Sequence, residues 1–343
     1  MSDGINPHIS RKKRAYRPIA DYLEGLQKGD RFALSEVLTI IENNNPATQL
    51  LRDELLGSIT AADSAGSLRI GMTGSPGAGK STLIEQLGQH YLSQGKKVAV
   101  LAIDPSSIRT EGSILGDKTR MPMLSNHENA FVRPTASATH LGGVSKTTQE
   151  SIAICEKAGY NVIIIESVGV GQSEVELAAL VDIYGVVLLP GGGDDVQGIK
   201  RGIIEMADFL VINKADGDRA ALAKQSQRDF AGSVALFPHD LPEWKTPVLT
   251  ASALLAEGIT DIATTISDFI TIGKKGSYFI NRRKAQEANY LRQQVKLLVT
   301  NKVESLLQQI KNSAPSALPD TDDRSIFALS QEIISKIASK LEE

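Results

Sequence analysis

The nine residues Gly74-Ser75-Pro76-Gly77-Ala78-Gly79-Lys80-Ser81-Thr82 constrain this chain more than any other segment. They satisfy G-x-x-x-x-G-K-[ST], the phosphate-binding loop. The context agrees: an apolar run over 68–73 leads in, and a helical pattern begins at Ser81. Glycines let the backbone wrap phosphates with its N–H groups turned inward. The N-terminus of the following helix adds partial positive charge. Lys80 supplies a point charge to β- and γ-phosphates, and the Ser81 hydroxyl can ligate Mg2+.

The rest of the chain predicts the sheet that carries such a loop. Short apolar runs at 68–73, 98–103, 130–133, 162–165, 183–189, 209–212 and 248–250 alternate with helical patterns. Those patterns fall at 81–93, 145–157, 199–206, 220–230 and 259–272. Alternation of this kind predicts an α/β fold with a mostly parallel sheet covered by helices on both faces. At 343 residues the chain has room for about two domains or one large domain with appendages. Residues 1–20 read as a flexible lead-in, with Arg11-Lys12-Lys13-Arg14 as a solvated basic arm. Residues 21–64 read as an N-terminal helical segment, 65–273 as the phosphate-loop domain and 274–343 as a helical extension. The extension has one apolar stripe through Leu291, Val295, Leu298, Val299, Val303 and Leu306, and a second from Ile326 to Leu341. Such stripes need cover, from the parent domain or from a second subunit.

Composition excludes several classes. With 37 basic and 40 acidic residues the net charge is -3, which argues against binding nucleic acid by bulk charge. No apolar run approaches the ~20 residues that span a membrane. The N-terminus reads neither as a secretory signal nor as a mitochondrial presequence. The single cysteine, Cys155, is too few for a disulfide or a thiolate metal site and fits a reducing, cytoplasmic setting. The five histidines are scattered and form no metal-ligand spacing.

A triphosphate with Mg2+ needs carboxylates near the metal. The run 98–103 ends in Asp104, and the run 162–165 ends in Glu166 followed by a glycine-rich segment. Strand-terminal acids share the sheet edge where ligands bind in open α/β folds. Asp117 is a third candidate, readable either as a metal ligand or as a solvated acid. The run 209–212 ends in Asn213-Lys214-Ala215-Asp216, about 130 residues beyond the phosphate loop. N-K-x-D after a buried strand is the guanine-reading loop of GTPases. Asp216 can accept from both N1–H and the exocyclic amine of guanine, a donor pair that adenine lacks, so such a site discriminates strongly. The Lys214 stem can lie over the base, and Asn213 can tie this loop to the phosphate loop. Thr250-Ala251-Ser252-Ala253 fits the small-residue loop completing a guanine pocket, with Ser252 and Ala253 at the base. Two segments, 104–120 and 190–200, read as switches. In the second, Lys200 either is solvated at a helix start or reaches nucleotide or partner.

With these motifs the chain resembles the MeaB/ArgK-type GTPases, the cobalamin type A-like G-protein chaperones of adenosylcobalamin-dependent methylmalonyl-CoA mutase. The resemblance covers roughly residues 20–310. Beyond the phosphate loop and Asn213-Lys214-Ala215-Asp216, it rests on Asp104-Pro105-Ser106-Ser107, on 112–121, on Glu166 through Glu174, and on 193–200. It implies a P-loop NTPase fold of the SIMIBI type and a homodimer with the helical extension as dimerisation arm. It implies Mg2+ ligation by Ser81, Asp104, Asp117 and Glu166 at different stages, and a role for Lys200 in hydrolysis when the mutase docks. One departure is Glu111, where the family usually has a glycine.

The expectation is therefore an enzyme that converts GTP to GDP and phosphate, with Lys80, Glu166 and Lys200 as catalytic candidates. Its cycle would gate cofactor loading and protect the holoenzyme of an adenosylcobalamin-dependent acyl-CoA mutase. Gln172 is a loose candidate for positioning water, so intrinsic turnover should be slow and a partner should raise it. Two rivals remain: a metallochaperone GTPase of the hydrogenase or urease maturation kind, and an ATP-using kinase linked to amino-acid transport.

Overall fold

The computed structural model describes residues 16–43, 46–60, 63, 66–104, 121–136, 143–167, 173–191 and 201–313. Seven strands form one sheet: β1 (Leu68–Gly74), β2 (Val98–Asp104), β3 (Ala130–Ala136), β4 (Val162–Ser167), β5 (Ile183–Leu188), β6 (Phe209–Ile212) and β7 (Val248–Thr250). Their order is β3-β2-β4-β1-β5-β6-β7, and every pairing between them is parallel. Each expected apolar run is one of these strands. Continuous apolar sequence such as Val162-Ile163-Ile164-Ile165 suits strands covered on both faces. β5 stops at Leu188 rather than at 189, because Pro190 follows and has no N–H to extend the ladder.

The helices are α1 (Ile19–Gln27), α2 (Arg31–Glu42), α3 (Gln49–Gly57), α4 (Lys80–Ser93), α5 (Pro122–Asn126), α6 (Gly143–Lys157), α7 (Ser173–Ala178), α8 (Arg201–Glu205), α9 (Ala220–Val234), α10 (Ile259–Lys274) and α11 (Tyr278–Ser313). Strand side chains alternate between two cores. On one face Ile70, Met72, Val100 and Ile164 pack with Leu83 and Leu87 of α4 and Ile262, Ile266 and Phe269 of α10. On the other, Leu101, Ile163 and Ile165 pack with Ile152 and Cys155 of α6, and this core continues into Leu34, Val37 and Leu38 of α2. The N-terminal helices thus share a core with the sheet.

That second face also carries buried charge. Arg52 of α3 makes a two-pronged bond to Glu150 of α6 at 2.8 and 2.7 Å, with both residues buried. Arg69 of β1 pairs with Glu156 at 2.8 Å. Breaking one partner of a buried pair of this type strands a charge, at a cost of about 3–5 kcal/mol.

The chain divides into two compact units, Met1–Ile280 and Asn281–Glu343. In the second, residues up to 313 are described and form one continuous helix, on which Leu291, Val295, Leu298 and Val299 are exposed. The second apolar stripe, from 326 onward, and the basic arm lie outside the described residues. Among the described residues no helix is long and apolar enough to cross a membrane.

Candidate nucleotide site

Because the strands are parallel, their carboxyl ends share one edge, and the motifs meet there. β1 sits between β4 and β5 and runs directly into the phosphate loop. Gly74 has φ 143, and a Cβ there would lie 2.0 Å from the Val187 carbonyl oxygen of β5. Gly79, the residue before α4, has φ 85, and a Cβ there would lie 2.6 Å from Nδ2 of Asn213. At both positions only glycine combines the positive φ with the close approach.

Lys80 is buried, and its ammonium donates to the carbonyls of Gly74 (2.8 Å) and Ser75 (3.2 Å). Burial pushes its pKa down, while the charges of Glu166 and then Glu174 act in the opposite sense. β1 and β4 are in register with Met72 opposite Glu166. That register brings Glu166 to the first turn of α4, where the Ser81 hydroxyl donates to its Oε1 at 2.9 Å. The hydroxyl and the carboxylate that converge at the head of the phosphate loop are hard-oxygen donors, the kind of ligand that suits Mg2+.

The loop after β6 is tied to the phosphate loop by one side chain. Asn213, buried, donates through Nδ2 to the Ala78 carbonyl at 2.8 Å, and its Oδ1 accepts from the Ala253 N–H at 3.1 Å. Lys214 follows with φ 60, a left-handed conformation held while the Ala215 N–H donates to the Ala251 carbonyl at 3.0 Å. The Lys214 stem reaches back toward Gly79, 3.7 Å from its built Cβ position. Asp216 is joined to the loop after β7: the Ser252 hydroxyl donates to its Oδ1 at 2.7 Å. Ser252 Oγ also accepts from the Leu255 N–H at 3.2 Å. A carboxylate has about four acceptor sites, so this contact leaves Asp216 capacity for a guanine donor pair.

The structure therefore brings together Gly74 through Thr82, Glu166, Asn213, Lys214, Asp216, Ser252 and Ala253. Asp104 ends β2 on the same edge, with only its backbone described. Asp117, Lys200, Gln172 and Glu111 lie outside the described residues. Cys155 is fully buried in α6, and burial pushes its thiol pKa far up, so it is packing rather than chemistry. Among the described residues no group of three or more His, Cys, Asp or Glu could hold a metal ion, and His239 instead pairs with Asp208 at 2.8 Å. Sequence reasoning assigned no role to Thr73, Ser167 or Glu174, which are buried and joined by hydroxyl contacts from Ser167 to Thr73 and from Thr73 to Glu174. The available signal was a carboxylate opening a short helix directly after the glycine-rich segment.

A family model described as "Methylmalonyl Co-A mutase-associated GTPase MeaB" matches residues 34–308. GTPase ArgK of Escherichia coli (strain K12) is 43% identical over 283 residues, covering 82% of this chain and 85% of its own. A methylmalonic aciduria type A homolog, mitochondrial, from Mus musculus is 44% identical over 254 residues, 71% of this chain and 61% of its own. A crystal structure described as an LAO/AO transport system kinase superposes with a TM-score of 0.72 at 32% identity, covering 95% of this chain and all (100%) of that one. With a phosphate loop at the centre of a parallel sheet, bound by Asn213 to an N-K-x-D loop, and with these relatives matching most of its length, the chain belongs to the MeaB family of P-loop GTPases, enzymes that bind and hydrolyse GTP.

Proposed function

We propose that this GTPase serves an adenosylcobalamin-dependent acyl-CoA mutase of the methylmalonyl-CoA mutase type, with its nucleotide state gating cofactor loading and protecting the loaded enzyme. The observation that carries this reading is the match of residues 34–308 to a family described as mutase-associated. The mouse relative's name, a methylmalonic aciduria type A homolog, points to the same metabolism.

In this reading the amides of Gly74 through Thr82 and the Lys80 ammonium hold the phosphates. Their charge is then positioned to stabilise the oxygens of the transferring phosphoryl group. Ser81 and Glu166 would hold Mg2+, with Asp104 and Asp117 joining at other stages of the cycle; such an ion would neutralise phosphate charge. Asp216 accepts from the guanine edge, Lys214 covers the base, and Asn213, Ser252 and Ala253 keep that loop in place. Lys200 completes the site when the mutase docks. The pairing of Asp216 with guanine also favours GTP over the ATP that a kinase would use.

The chain acts as a cytoplasmic homodimer in this proposal. Residues 65–273 form the catalytic domain, 21–64 its helical flank, and 274–343 the arm that meets the second subunit. The exposed Leu291, Val295, Leu298 and Val299, spaced along one face of α11, support that role.

The test is GTP turnover by the purified chain with and without a purified mutase of this type. The expected result is slow basal turnover that rises at least about tenfold with the mutase, as when a partner completes a GTPase site. Turnover indifferent to the mutase, in apo and cofactor-loaded forms alike, would remove the chaperone assignment and leave the GTPase.

A further inference from the structure

At the edge of the sheet where the nucleotide motifs meet, one side-chain bond takes over where main-chain pairing stops. β1 and β4 pair from Leu68 opposite Val162 to Met72 opposite Glu166, and their register ends there. Past that point each strand is held from its other side. Thr73 and Gly74 pair with Val186 and Val187 of β5, and Ser167 pairs with Ile103 of β2. Across the gap between them the Ser167 hydroxyl donates to Thr73 Oγ1 at 2.7 Å. Both residues are fully buried, at 0% exposure. The Thr73 hydroxyl in turn faces Glu174 Oε1 at 3.5 Å, longer than an ordinary hydroxyl bond, so the bond from Ser167 is the close one.

The bonded residues adjoin the site without being part of it. Thr73 leads directly into Gly74 of the phosphate loop, and Ser167 directly follows Glu166. Successive side chains of a strand point to opposite faces. Met72 and Ile164 lie in the core beneath α4, and Ile163 and Ile165 in the other core. Thr73 and Ser167 therefore bond on the face away from α4, while Glu166 meets the Ser81 hydroxyl on the α4 side at 2.9 Å. Glu166 is thus held between the last pair of the β1 ladder below it and the hydroxyl bond just above it. Without that bond, the end of β4 would keep only its β2 neighbour past Glu166. Mg2+ accepts little departure from octahedral donors at about 2.0–2.1 Å, so small freedom at this strand end matters to a carboxylate that serves the ion.

We propose that Ser167, through Thr73, is a positioning residue of the nucleotide site: the buried hydroxyl pair fixes the Glu166 carboxylate against Ser81 and so sets how strongly Mg2+ and nucleotide support each other's binding. The inference rests on the reading of Ser81 and Glu166 as Mg2+ donors, and adds to it the residues that aim them.

Ser167→Ala removes the donor and leaves the β4 backbone in place. The measurement is binding of a non-hydrolysable GTP analogue, by calorimetry, across a Mg2+ titration and in excess chelator. Wild-type protein should bind more tightly as Mg2+ rises. Ser167→Ala should need roughly tenfold more Mg2+ for the half-maximal gain, the scale on which residues behind a metal's donors act. Its affinity in chelator should stay at the wild-type value. Thr73→Val keeps the volume and removes the hydroxyl, so it should match Ser167→Ala. The double variant should be no worse than either single one, because both remove the same bond. Thr73→Ser keeps the hydroxyl and should match wild type. A folded Ser167→Ala protein with wild-type Mg2+ dependence overturns the proposal. Equal loss of affinity with and without Mg2+ also overturns it, since general loosening of the fold would do that. If Ser167→Ala does not fold, wild-type Mg2+ dependence in Thr73→Val, or a shifted one in Thr73→Ser, overturns it instead. Wild-type affinity indifferent to Mg2+ would remove the Mg2+ reading of Ser81 and Glu166 itself, a different failure from normal wild-type dependence that Ser167→Ala leaves intact.

Discussion

The base side and the phosphate side of the site are held by different interactions. On the base side the joins are largely neutral and local to the backbone: Asn213 to Ala78 and Ala253, and Ala215 to Ala251, with Ser252 bonding the one carboxylate, Asp216. On the phosphate side charge enters: burial lowers the Lys80 pKa while the charges of Glu166 and Glu174 oppose that, and Glu166 accepts from the Ser81 hydroxyl. Neutral hydrogen bonds give direction and little field, so the base loops form a fixed frame. A balance of charge gives a strong field that shifts when one member moves. In the proposed site, recognition of the base would be built in, whereas the field at the phosphates would respond to small movements.

The largest effect should come from breaking the phosphate side. Lys80→Ala is expected to lower GTP turnover on the order of a thousandfold, measured by phosphate release, because no other described cation of the loop replaces the charge on the phosphoryl oxygens. Turnover within tenfold of wild type would mean that the charge balance described here is not centred on Lys80. On the base side, Asp216→Ala should reduce the preference for GTP over ATP by roughly 100-fold in competition binding, since a missing acceptor leaves two guanine donors unpaired. Unaltered preference would place base reading elsewhere.

The smallest effect sharpens the contrast. Asn213→Ala leaves the Ala78 carbonyl and the Ala253 N–H without this partner, a loss of about 1–3 kcal/mol for each buried group. The expected signature is a melting temperature lower by several degrees together with GTP affinity reduced about tenfold. Raising salt from low to physiological strength should leave that deficit unchanged, because neutral bonds are not screened. A deficit that shrinks with salt would erase the distinction between the two sides.

Much of this site was legible before folding because its parts are local. The phosphate loop is nine consecutive residues, and Asn213 through Asp216 are four. Strand runs such as 162–165 announce themselves by unbroken apolar sequence, and Glu166 is marked by ending one. Thr73 carried no such mark, and Ser167 and Glu174 stood out only as parts of the phrase from Glu166 to Glu174, with no role attached. Each is an ordinary polar residue, and their relation depends on β4 pairing with β1 in one register rather than another. The N-terminal helices were legible as amphipathic, yet nothing local said that Arg52 would meet Glu150, 98 residues away. The five-residue helix α5 was not expected either, being too short for a periodic pattern to show.

The sequence by itself determined the strands, the longer helices, the parallel sheet and the motifs of the phosphate and base loops, because hydrophobic period and glycine placement act over a few residues. Only the tertiary structure decided which distant groups touch: Asn213 against Ala78, Ser81 against Glu166, and Ser167 against Thr73. Strand order and register make those contacts, and they follow from packing two faces of one sheet at once, a condition that no single stretch of the chain can express.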